Sequence, residues 1–309
     1  MDREGTGQCC GSFGELLQGV LPNGHKFLVN CRIRNRSTIR LRLTEPYYAP
    51  EKEAMIARTH ERFPKTYKAL RNLLADLGRR DDCLFELESD IPIGKGLSSS
   101  TADMVAGIRA LTEALAVKFK GDYIGRVISE IEPNDGLHFD NTSAYLHAEG
   151  RLIANFDWVP PFRILGLDEG GTCDTVAFNL RRIALTSRQQ SHYQVMLDTL
   201  SAALEARDLR TVASIATESA TLWQAVYPKV DFGRVCDVAQ SLGALGVLNT
   251  HSGTFLGILF PDGADLDVDA VTAEVKATLP GRAIAWFETS GLESSRRPAD
   301  MFEKVPTHG

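Results

Sequence analysis

The chain has no Cys-x-x-Cys pair and no histidine–cysteine cluster at zinc-finger spacing, which excludes a structural zinc module. Its cysteines are Cys9, Cys10, Cys31, Cys83, Cys173 and Cys236. Cys9 and Cys10 are adjacent and poorly placed to bridge each other, so a reduced, cytoplasmic chain is expected. No apolar run approaches membrane-spanning length, and "MDREGTGQCC" lacks the apolar core of a secretory signal. Basic charge is not in excess. With 34 Lys and Arg against 40 Asp and Glu, the net charge is −6, which argues against nucleic acid or an anionic membrane as the main partner. Internal repeats and low-complexity linkers are also missing. What is present is ordinary for a soluble globular enzyme: 309 residues, 43% hydrophobic and 24% charged. That length suits one large or two medium domains, each able to bury a core.

Short apolar runs bounded by Gly, Pro or Asn predict strands at "HKFLVNC" from His25, "STIRLRL" from Ser37, "CLFELES" from Cys83, "RLIANF" from Arg151 and "FRILGLD" from Phe162. Two more are predicted at "LGILF" from Leu256 and "RAIAWFET" from Arg282. Glu51 to Leu77 reads as helical with a break near Pro64. From Ser99 to about Val117, Met104, Ile108, Leu111 and Leu115 fall on one stripe of a helix. Ile124, Val127, Ile128 and Ile131 form a second stripe, closed by Pro133, and three further helical patterns follow in the C-terminal half. Neighbouring strand pairs among interleaved helices point to an α+β fold with mixed sheets. A boundary near Pro160–Pro161 divides the chain into an N-terminal domain, 1–160, and a C-terminal domain, 161–309.

The stretch that asks for an explanation is "SDIPIGKGLSSSTADMVAG", which runs from strand through a glycine turn into a helix N-terminus. The first turn of a helix has unpaired N–H groups and partial positive charge, and glycines let backbone approach an anion closely. Such an end suits a phosphate. Lys95 is a candidate point charge there, the alternative being a side chain in solvent. The serines are candidates for phosphate or Mg²⁺ contacts, the alternative being that one of them caps the helix. Three familiar loops do not fit. A Walker A loop needs glycine at Ser89 and Ser or Thr at Gly96. A dinucleotide fingerprint needs glycine at Ser99, and a hydrolase elbow needs glycine at Ser100.

Pro92 followed by Gly96-Leu97-Ser98-Ser99-Ser100-Thr101-Ala102 resembles the second motif of the GHMP kinases, with Ser98 replacing a glycine and Thr101 an alanine. "GSFGELLQG" resembles their first motif in the form found in bacterial L-threonine kinases of adenosylcobalamin synthesis, with Phe13 where cysteine is usual. "HSGT", His251 to Thr254, resembles the threonine-kinase form of the third, and "DEGGTCDTVAFN" from Asp168 resembles a further segment of that subfamily. The resemblance implies a two-lobed GHMP kinase fold, with ATP bound by the first domain and Mg²⁺ as cofactor. The acceptor implied is a small molecule, the side-chain hydroxyl of L-threonine or a close hydroxy-amine. A monomer or homodimer is expected.

By the same resemblance the ATP-binding residues are Pro92, Gly94, Lys95, Gly96, Leu97, Ser98, Ser99 and Ser100, with Ser100 also holding Mg²⁺. In "EPND", Glu132 is the expected second metal ligand and Asp135 the base or acceptor-positioning group, with Asn134 replacing a hydroxyl residue. Asp140 is the rival for either role, and some members of the superfamily work without a strong base. Ser12, Glu15, Gln18, His251, Ser252, Gly253 and Thr254 are the candidates for substrate contacts. Competing readings are a GHMP kinase from another pathway, a GHMP-fold ligand sensor without turnover, and, more distantly, a nicotinamide-dependent oxidoreductase using Gly94 and Gly96.

Overall fold

Five glycines between Gly5 and Gly19 make the start of the chain read as turn, yet it forms the 18-residue strand β1 (Arg3–Val20). The computed structural model describes residues 3–44, 50–172 and 185–290. The cause of the glycines lies across the strand, in helix α3 (Ser99–Leu115). A Cβ at Gly7 would sit 2.0 Å from the Ala106 carbonyl oxygen, and one at Gly5 would sit 2.2 Å from that of Ala110. The glycines therefore let helix backbone lie directly on strand backbone. "HKFLVNC" and "STIRLRL" merge into one strand, β2 (Lys26–Thr44), antiparallel to β1.

The other strands of the described residues are β3 (Asp82–Ser89), β4 (Ser143–Leu146), β5 (Arg151–Asn155), β6 (Phe162–Asp168), β7 (Gly246–Asn249), β8 (Phe255–Pro261) and β9 (Ala283–Glu288). They join one sheet in the order β5-β4-β2-β1-β7-β8-β6-β9, with β3 on the far half of β2. Every described pairing is antiparallel, where the sequence suggested mixed pairing. The sheet also runs unbroken past Pro160–Pro161, through the bridge between Glu15 of β1 and Asn249 of β7.

Helices α1 (Pro50–Arg62) and α2 (Pro64–Asp76) confirm the expected break, since Pro64 can open a helix but not continue one. Met104, Ile108 and Leu111 of α3 are fully buried, at roughly 1.5–3 kcal/mol each. Helix α4 (Gly121–Ser129) buries Val127 and Ile128 and stops before Ile131. Helices α5 (Ser187–Glu205) and α6 (Leu209–Trp223) pack with β1 into the main core. Helices α7 (Phe232–Ser241) and α8 (Val268–Thr278) cover a second core made by Leu165, Leu167, Leu256, Ile258 and Phe260. Strands β6 and β8 thus face apolar layers on both sides, which accounts for their unbroken hydrophobic runs. The five cysteines of the described residues are unpaired, and no described helix is long and apolar enough to cross a membrane.

Candidate active site

The three motifs meet backbone to backbone. Gly96, at φ +80°, leaves no room beside Gly253: a Cβ on Gly96 would lie 2.5 Å from the Gly253 Cα, and one on Gly253 would lie 2.1 Å from the Lys95 oxygen. The Thr254 amide donates to the Lys95 carbonyl at 3.1 Å, and the Ser12 amide to that of Leu97 at 3.2 Å. Gly14, at φ +56°, closes the third side, where a Cβ would come within 2.7 Å of the Asn249 carbonyl oxygen. Such a junction holds the start of α3 in one place, which a positioned phosphate site requires.

Beneath this junction lies a cleft of about 250 Å³, lined by the turn from Ile93 to Thr101 and by Glu15, Lys65, Glu132, Pro133, Asp135 and Ser252; Lys95 is not part of the lining. The serines do not cap the helix in the ordinary way. Ser98 occupies the N-cap position in the left-handed conformation, φ 61° and ψ 29°, and makes no cap hydrogen bond. Its hydroxyl instead bonds the Asp135 carboxyl. Thr101 Oγ1 lies 3.4 Å from Asp135 Oδ2, and the Ser100 hydroxyl donates to Glu132 Oε1. Lys65 Nζ reaches Glu132 Oε2 at 2.6 Å.

Asp135 is held by its backbone. Asn134 accepts from the Gly136 amide at 3.1 Å and donates to Ser129 Oγ at 2.9 Å, forming the Asx turn that presents Asp135. Asn30 donates to the Asp135 carbonyl at 2.9 Å. Burial pushes the Asp135 carboxyl up to about 7. Repulsion from Glu15 and Glu132 adds to this, while the hydroxyls of Ser98 and Thr101 pull it partly back. Behind Glu132, Asp103 is raised to about 6, chiefly by burial, with its Ser37 hydrogen bond opposing and Glu132 adding to the rise.

The other expected residues divide. Glu15 and Ser252 line the cleft with the glycine-serine turn. His251 is fully buried: Nδ1 meets Glu15 Oε2 at 2.7 Å, Nε2 meets Ser219 Oγ at 3.1 Å, and Trp223 Nε1 donates to its carbonyl at 3.0 Å. It orients Glu15 from behind. Ser12 is buried with its hydroxyl on the Gly14 and Cys31 carbonyls, and Gln18 is buried outside the cleft. Lys95 turns away to Asp168 Oδ2 at 2.6 Å and the Gly171 carbonyl at 2.7 Å. Thr254 bonds the other Asp168 oxygen at 2.6 Å, and Gly253 serves the junction. Pro92 is exposed at the edge. Asp140, the rival acid, pairs with Arg109 at 2.5 Å and does not line the cleft. Of "DEGGTCDTVAFN", residues 173–179 lie outside the described residues.

Lys65, Ile93 and Thr101 line the cleft without having been singled out as site residues. Lys65 belongs to no motif, being a lysine in an amphipathic helix. Ile93 carried a signal: an isoleucine between Pro92 and Gly94 has no strand or helix to bury it, and it is 81% exposed. Phe13, which departs from the usual cysteine, is core. Its ring packs edge-on against Phe255 and Phe287, over Gly166 and Gly257.

The chemistry of this cleft matches what is needed to hold a nucleotide triphosphate and its metal. The turn at the α3 N-terminus lines the cleft, and Ser100 and Glu132 present adjacent hard oxygens there. Among the described residues no three His, Cys, Asp or Glu side chains converge as a complete cage. A partial set of this kind is what Mg²⁺ uses when phosphates supply the rest of its shell.

Residues 64–149 match the family model described as GHMP kinases N terminal domain. The fold agrees: homoserine kinase from Cytophaga hutchinsonii superposes with a TM-score of 0.67 at 14% identity, over 94% of this chain and 95% of that one. Residues 64–149 are therefore similar to the GHMP kinase N-terminal domain, and the fold is one that a homoserine kinase shares. Over most of its length the chain is similar to the L-threonine kinase of Citrobacter freundii, 27% identical over 298 residues, 93% of this chain and 98% of that protein. The L-threonine kinase of Salmonella typhimurium is 25% identical over 264 residues, 84% of this chain and 83% of that one.

Proposed function

We propose that the protein is an ATP- and Mg²⁺-dependent kinase that phosphorylates the side-chain hydroxyl of L-threonine or a close hydroxy-amine. The observation that carries the reading is Asp135, a buried carboxyl raised to about 7, set beside a glycine-serine turn whose hydroxyls reach it. A carboxylate of that basicity is matched to taking a proton from an alcohol near neutral pH. Ile93 offers an exposed apolar surface at the rim for a purine base. The α3 N-terminus, with Gly94, Gly96 and Ser99, cradles phosphate oxygens, and Ser100 and Glu132 hold the metal. Bound Mg-ATP supplies the phosphoryl group and neutralises its charge. Glu15, fixed by His251, accepts a hydrogen bond from the substrate ammonium. Asp135 then takes the hydroxyl proton as the acceptor oxygen bonds phosphorus and the bond to ADP breaks.

Sequence likeness to two L-threonine kinases supports the acceptor class. The fold is shared with a homoserine kinase, which favours testing homoserine as the second reading. ADP release with Mg-ATP is measured against L-threonine, L-serine, L-homoserine, ethanolamine and 1-amino-2-propanol. The expected result is a maximum with L-threonine and formation of O-phospho-L-threonine. One methyl group is worth about 1–3 kcal/mol in a pocket, so L-serine reacts more weakly rather than not at all. A maximum with another compound replaces the acceptor. Absence of turnover with tight ATP binding leaves a ligand sensor.

A further inference from the structure

The cleft is lined by three carboxylates, Glu15, Glu132 and Asp135, and by one ammonium, that of Lys65. Lys95, the lysine in the glycine turn, is committed to Asp168. A triphosphate entering this cleft therefore meets fixed negative charge and, among the described residues that line it, a single cationic side chain. That side chain is already on Glu132, the expected metal ligand, at 2.6 Å. Its position there has a physical reason. The Glu132 side chain is 5% exposed and has Asp103 behind it, so its charge needs a counter-cation. Lys65 reaches it from the first turn of α2, with its side chain 39% exposed. A cation in the first turn of a helix opposes the helix dipole, and that turn of α2 contains no acidic residue to offset it. The placement is accounted for by the cleft.

We infer that Lys65 is a nucleotide-binding residue that occupies the metal's place against Glu132 in the free protein and transfers to the triphosphate when Mg-ATP arrives. The inference rests on the kinase reading above. Mg²⁺ on Glu132 and Ser100 displaces the ammonium, and the phosphates arriving with the metal receive it. The exchange keeps Glu132 compensated throughout. It also makes metal binding depend on the nucleotide, because free Mg²⁺ must expel Lys65 with no phosphate to accept it.

The test compares the wild type, Lys65→Met and Lys65→Arg. The first readout is Mn²⁺ bound in the absence of nucleotide, by electron paramagnetic resonance, with thermal melting in Mg²⁺ alone as its companion. The expected result is weak Mn²⁺ binding and no Mg²⁺-dependent melting shift in the wild type. In Lys65→Met, Mn²⁺ should bind about tenfold or more tighter, and Mg²⁺ should restore melting lost on substitution, because Glu132 is buried without its partner. The second readout is a split in Michaelis constants: KM for ATP rises about 10–100-fold in Lys65→Met, KM for the acceptor stays near wild type, and Lys65→Arg recovers most of the loss. A purely structural lysine would lower melting alone, without tighter Mn²⁺ binding or a change in KM for ATP, and that result overturns the inference while the kinase reading stands. A wild-type chain that binds no Mg-ATP in calorimetry overturns both.

Discussion

The two ends of the glycine-serine turn each face a carboxylate, and the two carboxylates are treated oppositely. At the Ser98–Thr101 end, Asp135 is buried near Glu15 and Glu132, and its carboxyl is raised to about 7. At the Gly94–Lys95 end, burial of Asp168 is outweighed by hydrogen bonds from Lys95, Thr254 and the Gly170 amide, and its carboxyl falls below the usual range. One end keeps an acid poised between its two protonation states. The other locks an acid as an anion and uses it to tie the turn to the strand that follows in the other half of the chain. On the proposed reading, reactivity and fastening are separated by a few residues of one loop, because a catalytic base must stay uncompensated and a fastener must not.

The largest expected effect comes from Asp135→Asn. Turnover should fall about 10²–10⁴-fold with the fold retained, measured as kcat and by circular dichroism. The sign of the pH dependence follows from the raised value. Between the ordinary carboxyl value of 3.8 and about 7, the folded state holds a proton that the unfolded state has released. Wild-type stability therefore falls as pH rises across that window, while kcat/KM rises through about 7 as the base is freed. The asparagine variant should lose both slopes. Unchanged turnover in a folded variant would remove Asp135 from the reaction and leave positioning and charge to carry it.

A smaller effect is expected at Ser98, where a non-glycine residue sits at φ 61°. The left-handed conformation costs a residue with a Cβ about 1–2 kcal/mol, and the hydroxyl makes use of that position by bonding Asp135. Ser98→Ala keeps the strain and loses the bond; Ser98→Gly loses both. Each should move the acid limb of kcat/KM to higher pH, since a hydrogen bond favouring the carboxylate is gone. In denaturant melts the glycine variant should exceed the alanine variant by about 1 kcal/mol. A limb that does not move in either variant would show that Ser98 serves the turn and not the acid.

Much of this was legible in the residues. The turn from Pro92 to Ala102 announced a strand, a close approach and a helix N-terminus, and those are what form. The buried stripe from Met104 to Leu111 was readable because helical spacing is local. The first strand was not, because Gly5 and Gly7 answer to Ala106 and Ala110, about a hundred residues away, and a single sequence does not display that contact. The same holds for Lys65, whose meaning comes from Glu132. Asp140 and Asp135 were rivals on sequence grounds. They separate only because Arg109 holds the first outside the cleft and Asn134 turns the second into it. Lys95 shows the same limit: a lysine between two glycines reads as a phosphate ligand or as a side chain in solvent, and its pairing with Asp168 is visible only in the structure.

That partnership sets the smallest expected effect. In Asp168→Asn, Lys95 keeps the Gly171 carbonyl and Thr254 keeps an acceptor, so the junction weakens rather than opens. Hydrogen bonds to a charged group are worth about 1.5–3 kcal/mol when buried, and the partly buried setting puts this loss near the lower bound. Because the Asp168 carboxyl is lowered by folding, its contribution is present above the usual carboxylate value and disappears as pH falls through its lowered one. The variant should therefore melt lower than the wild type at neutral pH and converge with it in acid, the reverse of the behaviour expected for Asp135→Asn. Its kcat should stay at the wild-type value, since neither Asp168 nor Lys95 lines the cleft. A large fall in kcat, with melting little changed, would mean that Lys95 leaves Asp168 for the phosphates during turnover and that the fastened end of the turn is reactive after all.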